Sequence, residues 1–188
     1  MANIKLIPIL RERTGAGMMD CRKALDACND DVEKAIDWLR ENGIAKAAKK
    51  SGRIAAEGLI GISIADKKAS IVEINTETDF VAKNPDFVAY VQDVSNEALN
   101  TTAQDLDSFL ASSWKNGDKT VNDVLTEQVA TIGEKISFRR FTRIVKEDNQ
   151  VFGTYSHMGG RIATLVLLNG SNEEVAKEVA ATTEKVEE

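Results

Sequence analysis

The hydrophobic pattern of this chain changes period near residue 58. Before that point apolar residues fall on helical stripes. Cys21, Leu25 and Cys28 recur at i, i+4, i+7, the spacing of one buried helix face. Val32, Ala35, Ile36 and Leu39 supply another such face, and Asp30 with Glu33 three residues on is a capping-box pattern that opens it. Pro8 is tolerated only near the start of a helix, where N–H groups lack partners, so the first helix is predicted from about Lys5 to Arg13. Thr14-Gly15-Ala16-Gly17 reads as a turn, since glycine permits positive φ. Gly43 reads as the residue that ends the third helix in a left-handed conformation, with a short basic helix over 44–50 leading out.

From Gly58 onward the pattern alternates. Ile60, Ile62 and Ile64 are interleaved with small or polar residues, as in a half-buried strand. Asp66-Lys67-Lys68 turns the chain, and Ile71 to Ile74 returns as a second strand. Asn84 before Pro85 predicts a helix start, with Asn as the cap and Pro in the first position, and Phe87, Val91 and Val94 form its buried face. A helix around Leu106 to Trp114, a loop at 115–118 and a helix over Val121 to Ile132 ending at Gly133 follow. Ile136 to Lys146 is predicted as a strand, although Arg139 and Arg140 together break its alternation. Val151 to Ser156, a turn at His157-Met158-Gly159-Gly160, and Ile162 to Leu168 then form two more strands. Ser171 with Glu174 reads as a capping box opening a last helix that carries Val175 and Val179. Strand, turn, strand and helix thus occur in that order near 58–99 and again near 150–182, a weak internal duplication. The predicted class is α+β, with a three-helix module followed by an antiparallel-sheet core and packed helices. The predicted domains are 1–53 for the docking module, 54–146 for a first core subdomain and 147–188 for the start of a second.

Composition narrows the function classes. The 188 residues, 43% hydrophobic and 29% charged, suit a soluble globular protein. No apolar run approaches the ~20 residues that span a bilayer, and MANIKLIPIL lacks the features of a secretory leader. The cytoplasm is the expected location. Cys21 and Cys28 lie roughly 10 Å apart along a helix axis, too far for a disulfide, and read as reduced thiols. A net charge of −6 argues against a protein that wraps nucleic acid, although Lys46, Lys49, Lys50 and Arg53 form a basic segment and the last seventeen residues are acidic. There is no G-x-x-x-x-G-K-[ST] loop, no G-x-G-x-x-G turn and no C-x-x-C or H-E-x-x-H cluster, and the single histidine leaves little for triad chemistry. No catalytic residue, metal or cofactor is expected.

Two segments stand out as candidate binding sites. Asn75 to Asn84 runs from a strand end to a helix start and sets Asp79 beside Phe80, in the kind of displayed loop where binding residues concentrate. A plainer reading has Phe80 packing against the helix start and Asp79 complementing its dipole. The hairpin tip at His157-Met158-Gly159-Gly160-Arg161 can bring its backbone close to something, or can be an ordinary tip with solvated His and Arg. On physical grounds alone the plainer reading is favoured at both places.

The same segments carry a resemblance. Leu10 to Leu25, with the run Arg11-Glu12-Arg13-Thr14-Gly15-Ala16-Gly17-Met18-Met19-Asp20-Cys21, closely resembles the opening signature of the elongation factor Ts family. Glu77-Thr78-Asp79-Phe80-Val81-Ala82-Lys83-Asn84 resembles its central motif, and Ile132-Gly133-Glu134, Arg139-Arg140 and His157 to Ile162 are similar to later blocks in the same order. The resemblance implies a non-catalytic exchange factor that binds the GTPase elongation factor Tu, in GDP-bound and nucleotide-free forms, and speeds GDP release. It implies that Asp79 and Phe80, flanked by Thr78 and Val81, wedge in near the partner's magnesium and switch region. Arg11, Met18 and Met19 match the helical module's contact surface, and His157, Gly159, Gly160 and Arg161 a hairpin that meets a more distant domain of the partner. Pro8 and Ile9 stand where relatives usually carry polar residues. Longer relatives continue through a helical-hairpin insertion, so the resemblance implies a truncated second half here.

Two rivals remain at this level. The helical module alone resembles the ubiquitin-associated fold, so a ubiquitin-type binding module accounts for 1–50 but not for the sheet. An RNA-binding protein using Lys46, Lys49, Lys50, Arg53, Arg139, Arg140 and Arg143 is disfavoured by the acidic total and by an aromatic content of 5%.

Overall fold

The computed structural model describes residues 2–183; the end of the acidic tail lies outside them. In chain order the elements are α1 (Leu6–Thr14), α2 (Met18–Ala27), α3 (Val32–Lys50), β1 (Glu57–Ala65), β2 (Lys68–Thr76), the single turn α4 (Asp79–Ala82), α5 (Pro85–Asn100), α6 (Leu106–Leu110), α7 (Val121–Ile132), β3 (Ile136–Val145), β4 (Gln150–His157), β5 (Ile162–Asn169) and α8 (Glu173–Thr183). The class is α+β, with three helices preceding antiparallel sheets. The chain divides into two compact units. One comprises Met1–Ile54 with Asn122–Lys135, the other Ala55–Val121 with Ile136–Glu188.

In the first unit Ile7, Leu10, Cys21, Ala24, Leu25 and Ala35 form a buried core, with Val32, Ile36 and Leu39 packed against it. Both cysteines are free thiols, Cys21 buried and Cys28 just past the end of α2. Gly15 caps α1 at φ 68, as its turn position requires. Gly43 does not end a helix: α3 runs unbroken through it to Lys50, and Gly43 is buried. A Cβ there would lie 3.4 Å from the Ala130 methyl on α7, so the missing side chain serves close helix packing. Nor does Asp30 cap α3. It sits at φ 62 and accepts a hydrogen bond from the Asn3 N–H at 2.7 Å, while Asp31, one residue on, caps the helix by accepting from the Lys34 N–H at 3.1 Å.

In the second unit β1, β2 and β3 form an antiparallel sheet in that order. Asp66 and Lys67 make the tight turn between the paired ends Ala65 and Lys68, with Asp66 at φ 52. Helix α5 lays Phe87, Tyr90, Val91, Val94 and Leu99 into the core. Buried serines pin it to the sheet: Ser70 Oγ donates to the Ser95 carbonyl at 2.6 Å, and the Ser63 and Ser95 hydroxyls lie 2.7 Å apart. Asn84 accepts from the Asp86 N–H at 2.8 Å and Pro85 opens the helix, as expected from the sequence. Replacing Asn84 by Ala is expected to cost about 1 kcal/mol and roughly 2–4 °C in Tm, with Asn84→Asp near neutral, in a thermal unfolding series.

Helix α6 ends at Leu110, well before Trp114, because Ser113 bridges to Thr120 and draws the chain into a turn. Its Phe109 meets Phe138 edge-on, with ring centroids 5.5 Å apart, and Phe141 at 4.8 Å. The broken alternation at Arg139-Arg140 is a β-bulge. Register shifts between Glu73 and Ile74, leaving Arg139 as the extra residue, so both guanidiniums reach the Glu73 carboxylate, at 3.2 and 2.6 Å.

Strands β4 and β5 form a separate antiparallel hairpin with α8 packed on it. The last helix is capped by Asn172, whose Oδ1 accepts from the Val175 N–H at 2.9 Å, rather than by Ser171. The order hairpin then helix occurs twice, β1–β2 with α5 and β4–β5 with α8, and each helix packs on its own hairpin. A glycine in the first strand of each pair, Gly61 and Gly153, permits the close approach. An added Cβ would lie 2.9 Å from the Val91 carbonyl oxygen in one case and 2.0 Å from that of Ala176 in the other.

Candidate functional site

The loop after β2 is shaped by its own polar residues. Thr76, fully buried at the strand end, donates its hydroxyl to the Thr78 carbonyl at 3.1 Å. Thr78 then caps α4, its Oγ1 accepting from the Val81 N–H at 3.5 Å. With Thr78 as cap, Asp79 becomes the first residue of the turn and Phe80 the second. Ala82 faces the core, and Phe80 on the opposite side is 88% exposed. A phenylalanine held in water on a capped, buried-backed turn does no packing for the free chain. This excludes the reading in which Phe80 packs against the start of α5.

Asp79 is braced by two cations. Lys83, one turn on, binds its Oδ2, and the Arg161 guanidinium lies 3.2 Å from Oδ1. That second contact is an ion pair without hydrogen-bond alignment, and Oδ1 is buried with no hydrogen bond among the described residues. The hydrogen bond from Lys83 dominates in holding the Asp79 carboxyl below the usual carboxylate range, with burial opposing and the Arg161 charge assisting. A depressed value in the folded chain means the ion pairs persist at neutral pH and are lost only as the pH falls through it.

The hairpin tip is docked on this region. Gly160, buried at φ 95, offers its carbonyl to the Ile60 N–H of β1 at 2.7 Å, and a Cβ on it would meet the Ile60 oxygen at 3.3 Å. Arg161 follows and pairs with Glu57 as well as Asp79. Gly159 and Met158, both at positive φ, form the exposed outer turn. His157 is exposed and stacked on Tyr155, the rings 11° from parallel at 6.2 Å. The tip is therefore not a free turn with a solvated arginine; the surface its glycine approaches is the chain's own edge strand.

The structure thus brings Thr78, Asp79, Phe80 and Val81 together with Gly160 and Arg161 in the second unit. Arg11, Met18 and Met19 belong to the first. There Arg11 and Met18 line a shallow hollow with Ile7, Pro8 and Glu12, and both methionines are exposed rather than core. Sequence reasoning passed over two participants. Lys83 was visible as the i+4 cation to Asp79, whereas Glu57 had no local signal, being 104 positions from Arg161.

Among the described residues no group of three or more His, Cys, Asp or Glu side chains could hold a metal, and no helix is long and apolar enough to cross a membrane. The sequence model of the family elongation factor TS matches residues 77–183, a span that starts at the Asp79-Phe80 turn and takes in the docked hairpin. That span is more than half of the chain, and the chain belongs to this family of translation factors.

Proposed function

We propose that this chain is a guanine-nucleotide exchange factor for elongation factor Tu, working in the cytoplasm by binding the GDP-loaded and nucleotide-free GTPase and promoting GDP release. The observation that carries the reading is the exposed Phe80 on a turn fixed from below by Thr76, Thr78 and Ala82 and from the side by Lys83 and Arg161. Such a wedge is pre-organised, so little ordering cost remains on binding. The Met18 and Arg11 surface of the first unit, a three-helix module like ubiquitin-associated domains in its order, serves as a second anchor. His157 and Gly159 at the outer hairpin turn form a third. No bond is made or broken. The wedge favours a partner conformation in which magnesium and phosphate contacts are poor, and GDP weakens factor binding by the same ratio as the factor weakens GDP binding.

Four of the basic residues that suggested RNA are engaged within the chain. Lys46 pairs with Asp20, Arg139 and Arg140 with Glu73, and Arg143 donates to the Leu99 carbonyl. This supports the protein-partner reading.

The test is release of a fluorescent GDP analogue from elongation factor Tu, with and without the chain. Acceleration at substoichiometric amounts is the expected result. Binding without acceleration would reduce the chain to a docking module, and no binding would overturn the assignment.

A further inference from the structure

Arg161 stands between two carboxylates that come from different parts of the chain. Its Nη2 pairs with Glu57 at the start of β1, and its Nη1 lies 3.2 Å from Asp79 in the turn that carries Phe80. All three side chains are about one-third exposed, 35% for Arg161, 33% for Glu57 and 36% for Asp79. With Lys83 on the other Asp79 oxygen, two cations balance two anions. The arginine is delivered to this place by the backbone bond from Ile60 to the Gly160 carbonyl next door.

We infer that Arg161 and Glu57 form a clasp that makes the β4–β5 hairpin a positioning element for the Asp79-Phe80 wedge, so that Arg161 acts in exchange through Asp79 rather than through the partner. This rests on the exchange reading above. The geometry separates the two jobs of the tip: His157, Met158 and Gly159 face solvent, while Gly160 and Arg161 turn inward to β1 and the wedge. Glu57 gives the clasp a second function. The Asp79 oxygen facing Arg161 is buried and accepts no hydrogen bond, so it meets a donor on the partner only when the carboxylate turns out of the clasp. When Asp79 turns to such a donor, Arg161 keeps Glu57 as counter-ion and is not left as an unpaired, half-buried charge, a state that is costly. The wedge can therefore change partners without the hairpin losing its anchor.

The experiment uses the full chain and a double-mutant cycle on stimulated release of the GDP analogue, with Arg161→Met, Asp79→Asn and the pair. Arg161→Met keeps the aliphatic length and is expected to lower the acceleration about tenfold, whereas in the Asp79→Asn background it has no further effect. Multiplicative, independent effects would overturn the inference, because Arg161 would then be contacting the partner itself. The second measurement is amide hydrogen exchange of the free chain. Arg161→Met is expected to speed exchange at Ile60 and across 81–83, and Arg161→Lys to restore part of the protection; unchanged protection in Arg161→Met would overturn the clasp. If the unsubstituted chain gave no acceleration, the exchange reading would fail, and amide exchange alone would decide for or against the clasp.

Discussion

Phe80→Ala is expected to reduce stimulated GDP release by roughly 10–100-fold while leaving the thermal midpoint of the free chain where it was. The two halves of this expectation have the same origin. At 88% exposure the ring is nearly as wet in the folded chain as in the unfolded one, so its removal takes almost no burial energy from folding. In the proposed complex the same ring would leave water for the partner's surface, where burying it fully is worth about 1.5–3 kcal/mol, and anchors of this kind dominate interfaces. Asp79→Ala is expected to behave likewise. The fold keeps Thr78 as the cap of α4 and Glu57 as a partner for Arg161, and exchange slows because the wedge loses its charge. Nucleotide release and thermal unfolding of the same preparations check both. If the two variants unfolded instead, the turn would be structural after all.

Gly153→Ala is expected to do the reverse, damaging the fold far from any exposed site. A Cβ at this position would lie 2.0 Å from the Ala176 carbonyl oxygen and 2.2 Å from its carbon. Both are backbone atoms of α8, so no side chain can swing aside, and the helix must lift from the strand. Overpacking of this kind costs about 3 kcal/mol, equivalent to a fall of roughly 6–12 °C in Tm for a chain of this size. The loss should be visible in amide exchange as exposure of 173–183 before the β1–β3 sheet opens. A variant as stable as the parent would mean that α8 does not ride on β4 as closely as the structure shows.

Features governed by neighbours in sequence were legible from it. Asn84 and Pro85 open α5, Val121 and Ile132 bound α7, and the alternation of Ile60, Ile62 and Ile64 marks β1. Misreadings arose where one residue type serves two physical ends. A glycine that stops a helix and one that admits a neighbouring helix look the same in sequence, which is why Gly43 read as a terminus. Asp30 read as the cap of α3, but its carboxylate is taken by the tertiary bond from the Asn3 N–H and the neighbouring Asp31 caps the helix instead. The paired arginines of β3 signalled an irregularity, but the bulge and its Glu73 partner lie across strands. At the candidate site the chemistry of Asp79 and Phe80 was legible and its bracing was not, because Glu57, Asp79 and Arg161 meet only after the hairpin docks.

A nine-residue strand carrying three isoleucines at the margin of a sheet is a ready template on which other chains can assemble. The bond from Ile60 to Gly160 occupies a rung of that margin, and an incoming strand finds the register already interrupted there. At the far end Asp66, Lys67 and Lys68 set charge against the same approach. The proposed clasp hairpin therefore also occupies part of the one margin of this sheet where β1 could pair with another chain.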